Sequence, residues 1–291
     1  MAKLMVVGTI SLLFLLLGII FVVARIFNLK SGEKIFSGTL APWAPETPHV
    51  ALFCLLLLLW MILFPTIGTS ITRALFAETP LADNPICISA FSGAFSVAMF
   101  VLAKKFLPQS LPERFNMPTQ RRLISWFVLG IGENLWSFFG FVMLALTLSL
   151  QLSALIPRLI PALEETWEKN QLIVDTLGNM EDKRLIFFAV PTLVILTPIC
   201  EEIIFRAGIY RILKARVGAI AGGIITAIFF AALHDTAAGF FPLAILSCIL
   251  SFAYERSGKI AVPIILHGIF NAFSIAQILL LQDVQLPDMN F

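Results

Sequence analysis

The chain has 291 residues, 59% of them hydrophobic and only 13% charged, with a mean hydropathy of +0.94. Soluble domains carry about 25% charged residues, so an ordinary soluble fold is excluded and an all-α, polytopic membrane helix bundle is implied. A formal net charge of +2, with no concentrated basic face, gives no footing for a nucleic-acid partner. Cys54, Cys87, Cys200 and Cys248 fall singly in or beside apolar runs without CxxC spacing, and read as small core residues.

Leu4 to Ala24 is long enough to cross a bilayer and too long for a signal-peptide core, so it reads as a retained first span. Phe27 to His49 is a polar connector. The second span, Val50 to Ile71, carries Pro65, which predicts a bend. A short loop, Thr72 to Asn84, leads into the third span, Pro85 to Ala103. Between Lys104 and Arg122, Lys104, Lys105, Arg114, Arg121 and Arg122 face Glu113 alone, which marks a cytoplasmic loop by the positive-inside rule.

The fourth span, Leu123 to Leu150, contains Glu133 and Asn134, either a structural hydrogen-bond anchor or a distant support of a site. Gln151 to Lys183 repeats leucine and isoleucine at helical spacing, is broken by Pro157 and Pro161, and is acidic. It suits an interfacial amphipathic helix, a lid or a solvated connector. The fifth span starts near Arg184 and ends in Arg211, Lys214 and Arg216. Spans six, seven and eight run over Ala219 to His234, Phe240 to Phe252 and Ile260 to Leu281. Counting from the basic loop puts every basic connector on one side, giving eight spans with both termini outside. No internal repeat is visible, so the chain is one integral membrane unit: 1–183 holds the N-terminal spans and amphipathic segment, and 184–282 the polar helices.

Those polar helices carry the functional signal. Glu201, Glu202 and Arg206, then Phe230 and His234, then His267 and Asn271 interrupt otherwise apolar spans. An ionisable group at membrane depth costs about 2.5 kcal/mol or more on insertion scales, so such a cluster is a functional site by default. Residues four apart share a helix face, so Glu202 pairs with Arg206, His267 points with Asn271, and Phe230 walls His234. Glu201 is turned about 100° from Glu202 and is free to face something else. Pro198 is expected to kink the helix where the polar group begins. The midpoint between residues 201 and 234 falls at Val217 and Gly218, in a basic, glycine-bearing turn, which places both side chains at one level. His267, about seven residues into its span, joins them only if the span before it is tilted or shallow.

The order EExxxR, FxxxH, HxxxN resembles the CPBP superfamily of intramembrane endopeptidases, which includes the CAAX prenyl endopeptidase and bacterial abortive-infection and bacteriocin-processing homologues. The resemblance covers Arg184 to Gln282. It implies hydrolysis of a peptide bond near the C-terminus of a membrane-associated or prenylated protein or peptide, in a bilayer, with a prokaryotic cell membrane as the expected location. Peptide hydrolysis needs a base for water, donors for the oxyanion and a proton for the leaving amine. Glu201 suits the base and His234 the orienting partner of the water, while His267 and Asn271 suit the oxyanion donors; the family assigns these roles to the matching positions. Glu202 and Arg206 act as support, with Arg206 alternatively binding a substrate carboxylate.

No cofactor is expected. A zinc site on Glu201, His234 and His267 is the alternative, but there is no HExxH pair and Asn271 is a poor zinc ligand. No GxSxG is present to support a serine nucleophile. A non-catalytic membrane binding or immunity protein that keeps the polar knot for packing is the competing function. A transporter would want paired broken helices, which are not seen. His49, in a loop, reads as a bystander, and Glu255 and Arg256 read as solvated charges.

Overall fold

The computed structural model describes residues 40, 42–43, 46–79, 81–106, 183–234 and 237–281, with Leu16 and Leu159 as isolated positions. The expected first and fourth spans, Glu133 and Asn134, and most of the 151–183 segment lie outside the described residues, so the eight-span count is not tested by them. Every regular element among the described residues is helical. Helix α1 is Thr47–Leu75 and α2 is Pro85–Phe106. Residues 183–217 follow one helical path, α3, and then come α4 (Ala219–Ala232), α5 (Ala237–Ser257) and α6 (Ala261–Leu281). The second and seventh spans are thus longer than the apolar runs suggested, and the sixth stops just short of His234.

By length and apolarity, Phe53–Leu75, Phe187–Val217 and Ala261–Leu280 can each cross a membrane, while Pro85–Met99, Ala219–Ala232 and Gly239–Glu255 are shorter apolar helices. Helix α4 shows the pattern lipid imposes. Ile220, Ile224 and Ile228, four apart, are exposed, whereas Gly222, Gly223, Thr226 and Ala227 are buried. Large aliphatic groups face outward and small ones let the backbones approach, because the bilayer leaves no reason to hide isoleucine.

Helix α3 is the hub. Its first half packs on α2 and α6, its second half on α4, and its middle also meets α5. Ile86, Ala189, Leu193 and Ile275 form one core where α2, α3 and α6 meet, and Ile204, Phe205 and Phe230 form another between α3 and α4. The hairpin from α3 to α4 turns at Gly218, with φ 87° and ψ 168°, a backbone conformation open essentially to glycine alone.

The expected kink at Pro198 takes a particular form. Thr192–Leu196 and Ile203–Tyr210 are π-helical and bracket an α-helical turn, Thr197–Glu202, that carries the acid pair. Proline removes a backbone donor, and widened π-turns are one way a helix accommodates the gap; they cluster at functional sites. Thr197 N–H bonds Thr192 O, and Pro198 has no N–H, so the Leu193 carbonyl has neither as a partner. Helix α6 supplies one: Asn271 Nδ2 donates to Leu193 O at 2.7 Å.

Candidate active site

Glu201 lies on the α-helical turn of α3, largely buried, with its Oε2 free of any hydrogen-bond partner among the described residues. Two imidazoles face it. His234 Nε2 is 3.9 Å from Oε1 and His267 Nε2 is 3.8 Å from Oε2. His234 sits in the turn after α4, where its Nδ1 donates to the Phe230 carbonyl at 2.7 Å and its ring lies 4.5 Å from the Phe230 ring. A carbonyl can only accept, so Nδ1 bears a proton, and in the neutral ring the Nε2 lone pair is turned to Glu201.

His267 is fixed by the second acid. Its Nδ1 donates to Glu202 Oε1 at 2.8 Å, so one ring spans both carboxylates. Glu202 in turn pairs with Arg206, Nε to Oε2 at 3.0 Å, and both side chains are wholly buried. The guanidinium also donates to the Ser247 carbonyl at 3.3 Å and lies 4.8 Å over the Phe230 ring. Isolated charges at this depth would be prohibitive, and pairing with further hydrogen bonds is what makes them tenable. Arg206, fully enclosed, is not placed to bind a substrate carboxylate, which corrects that alternative.

Glu201, Glu202, Arg206, His234 and His267 therefore converge. Asn271 reaches the same helix about two turns earlier, with one amide N–H on Leu193 O and its second N–H remaining. The expectation is that His267 arrives only if the span Phe240 to Phe252 is tilted or shallow. The apolar stretch Gly239–Glu255 is a shorter helix than the three that can cross a membrane, and His267 arrives because α6 packs directly on the Thr192–Glu202 stretch of α3.

Glu255, expected to be a solvated charge, is buried. It accepts from Tyr210 OH at 2.7 Å and pairs with Lys214 Nζ at 2.6 Å, and Lys214 also donates to Leu40 O. Arg206 meets Ser247 and Lys214 meets Glu255, each pair 41 residues apart. Arg206, Tyr210 and Lys214 on α3, and Ser247, Ser251 and Glu255 on α5, are two polar stripes at four-residue spacing. They lie side by side because α4 returns the chain and makes α3 and α5 parallel. That repeat was the signal in the sequence that could have found them.

Cys87 and Cys200 are buried, Cys54 and Cys248 exposed, and all are free. Among the described residues, no group of three or more His, Cys, Asp and Glu side chains has the arrangement that holds a metal ion.

An all-helical bundle with lipid-facing aliphatic stripes and a buried acid and imidazole cluster defines an integral membrane protein with an intramembrane polar site. Residues 183–273 match the family model described as type II CAAX prenyl endopeptidase Rce1-like, so this stretch of the chain is similar to that family of membrane proteases. The match covers about a third of the chain, and α1 and α2 lie outside it. Neither the curated proteins nor the solved structures include a match to the chain.

Proposed function

We propose that the protein is an intramembrane endopeptidase that hydrolyses a peptide bond near the C-terminus of a membrane-associated protein or peptide, prenylated ones included, with Glu201 as the base. The observation that carries the reading is the pair of Nε2 atoms facing one carboxylate at 3.8 and 3.9 Å. Two acceptors 3.9 Å apart, Glu201 Oε1 and His234 Nε2, can each be reached at about 2.8 Å by one water, with about 90° between the bonds. A water held in this way has both hydrogens engaged and a lone pair turned outward to a substrate carbonyl.

In the reaction the water oxygen bonds to the carbonyl carbon as Glu201 takes a proton. The carbonyl oxygen becomes the oxyanion, the carbon–nitrogen bond then breaks, and the Glu201 carboxyl returns the proton to the leaving amine. His267 can donate to the oxyanion from Nε2 only when both ring nitrogens carry protons, since Nδ1–H already faces Glu202. Glu202 is the counter-charge this form needs. The second N–H of Asn271 is the other donor. The route through the carboxylate asks for no metal, and the match of residues 183–273 to the Rce1-like family model supports a protease.

The test compares cells carrying the parent protein with cells carrying Glu201→Gln or His234→Ala, both inserted normally, by mass spectrometry of membrane-protein C-termini. Truncated C-termini should vanish in both variants, with in vitro hydrolysis reduced about 10²- to 10⁴-fold. Parent-like processing by either variant would sink the protease reading and favour the non-catalytic membrane protein.

A further inference from the structure

A cavity of about 350 Å³ opens beside Glu201 and His234 and runs between α1 and α2. Its small wall comes from α2, where Ser89, Ser92, Gly93 and Ser96 follow at three- and four-residue spacing and so share one face. Its large wall comes from α1, with Trp60 and Phe64. The volume lies at the low end of ligand sites, which run about 300–1,000 Å³, and is ample for one bulky side chain.

Trp60 is not a loose occupant of that wall. Its Nε1–H donates to Ser96 Oγ at 2.9 Å, and the Ser96 hydroxyl donates onward to the Ser92 carbonyl at 2.7 Å. Its ring meets Phe64 edge-on at 6.4 Å, and Phe64 in turn packs against Phe95 at 5.2 Å. Ser92 also donates to the Phe64 carbonyl at 3.0 Å, tying α1 to α2 at the level of the cavity. An indole with its N–H bonded and its face packed keeps one orientation, so it defines the cavity's width.

We propose that this cavity receives one apolar side chain of the substrate next to the bond cut, and that Trp60, held by Ser96, is the residue that sets how large that side chain can be. The proposal rests on the protease reading for the word substrate. Continuity with the site argues for the occupant: a chain whose carbonyl sits over Glu201 has its neighbouring side chain within reach of α1 and α2. Apolar walls with a few hydroxyls accept an aliphatic or aromatic group, while a charged one would be desolvated beside Glu201. Selectivity then resides in two helices outside the matched domain, apart from the residues that handle the water.

The experiment uses internally quenched decapeptides in detergent micelles, identical except that one position carries Ala, Leu, Phe or Trp. Hydrolysis is followed with the parent, Trp60→Ala, Trp60→Phe and Ser96→Ala proteins. Binding of the same peptides is followed by fluorescence anisotropy on a Glu201→Gln background. The parent should prefer Leu to Trp. Trp60→Ala should raise the Trp-to-Leu ratio of kcat/KM, and of affinity, at least tenfold, and the milder Trp60→Phe and Ser96→Ala should move it in the same direction by less. They carry the test if Trp60→Ala does not accumulate. An unchanged ratio in all variants, or no peptide binding at all, overturns the cavity's role. A Trp60-dependent binding preference without hydrolysis by the parent keeps the cavity and overturns the protease.

Discussion

Nδ1 of His267 donates to Oε1 of Glu202 at 2.8 Å, across 65 residues of chain. The bond joins α6 to α3, fixes the ring's orientation, and leaves Nε2 directed at the neighbouring acid, Glu201. Glu202 thus supports the site twice, through Arg206 on its own helix and through His267 on another.

Glu202→Gln keeps the shape and removes the counter-charge from His267. It should lower kcat about 10²-fold with little change in KM, because the charge matters when the oxyanion forms. Both variants leave Arg206 buried without its counter-charge, and Glu202→Ala, which also loses the hydrogen bonds a Gln amide can keep, should cost about 3–5 kcal/mol of stability. Steady-state kinetics and thermal unfolding in detergent separate the two effects; a Gln variant with parent kcat contradicts the assigned role.

The contact of α6 with the π-helical part of α3 has two measurable anchors. Asn271→Ala strips the Leu193 carbonyl of its donor and should cost about 1–3 kcal/mol, seen as a lowered unfolding temperature. Gly268→Ala would bring a methyl group within 2.6 Å of the Val194 carbonyl oxygen, and should cost about 1–3 kcal/mol as the helices are pushed apart. A Gly268→Ala protein as stable as the parent would contradict the close approach.

At the α3 to α4 turn, a Cβ on Gly218 would meet nothing within 4 Å, so Gly218→Ala tests the backbone alone. With φ 87° and ψ 168° it should cost about 1–3 kcal/mol. Asn should rescue little, because its tolerance for positive φ is in the left-handed helical region, with ψ far from 168°. Equal unfolding temperatures for parent and Ala variants would refute the strain.

Hydrolysis through Glu201 predicts that dialysis against 1,10-phenanthroline and EDTA leaves the rate unchanged, with the protein's zinc content measured in parallel. Activity lost on chelation and restored by zinc would replace the carboxylate route with a metal one on Glu201, His234 and His267.

The sequence by itself determined what depends on composition and on spacing within one helix. Its apolarity pointed to a membrane protein, its four-residue spacings to the Glu202 and Arg206 pair and the Phe230 and His234 stack, and its basic, glycine-bearing stretch midway between residues 201 and 234 to the turn at Gly218. These are legible because the helical period is a local property. Only the tertiary structure decided which face of each helix meets which neighbour. It gave Glu202 to His267, Asn271 to the carbonyl beside Pro198, and Trp60 to the wall next to Glu201, and it buried Glu255 against Tyr210 and Lys214. Each of these depends on the rotation and register of two helices packed together. That is set by the summed fit of small and large side chains across the interface, which no single stretch of chain encodes.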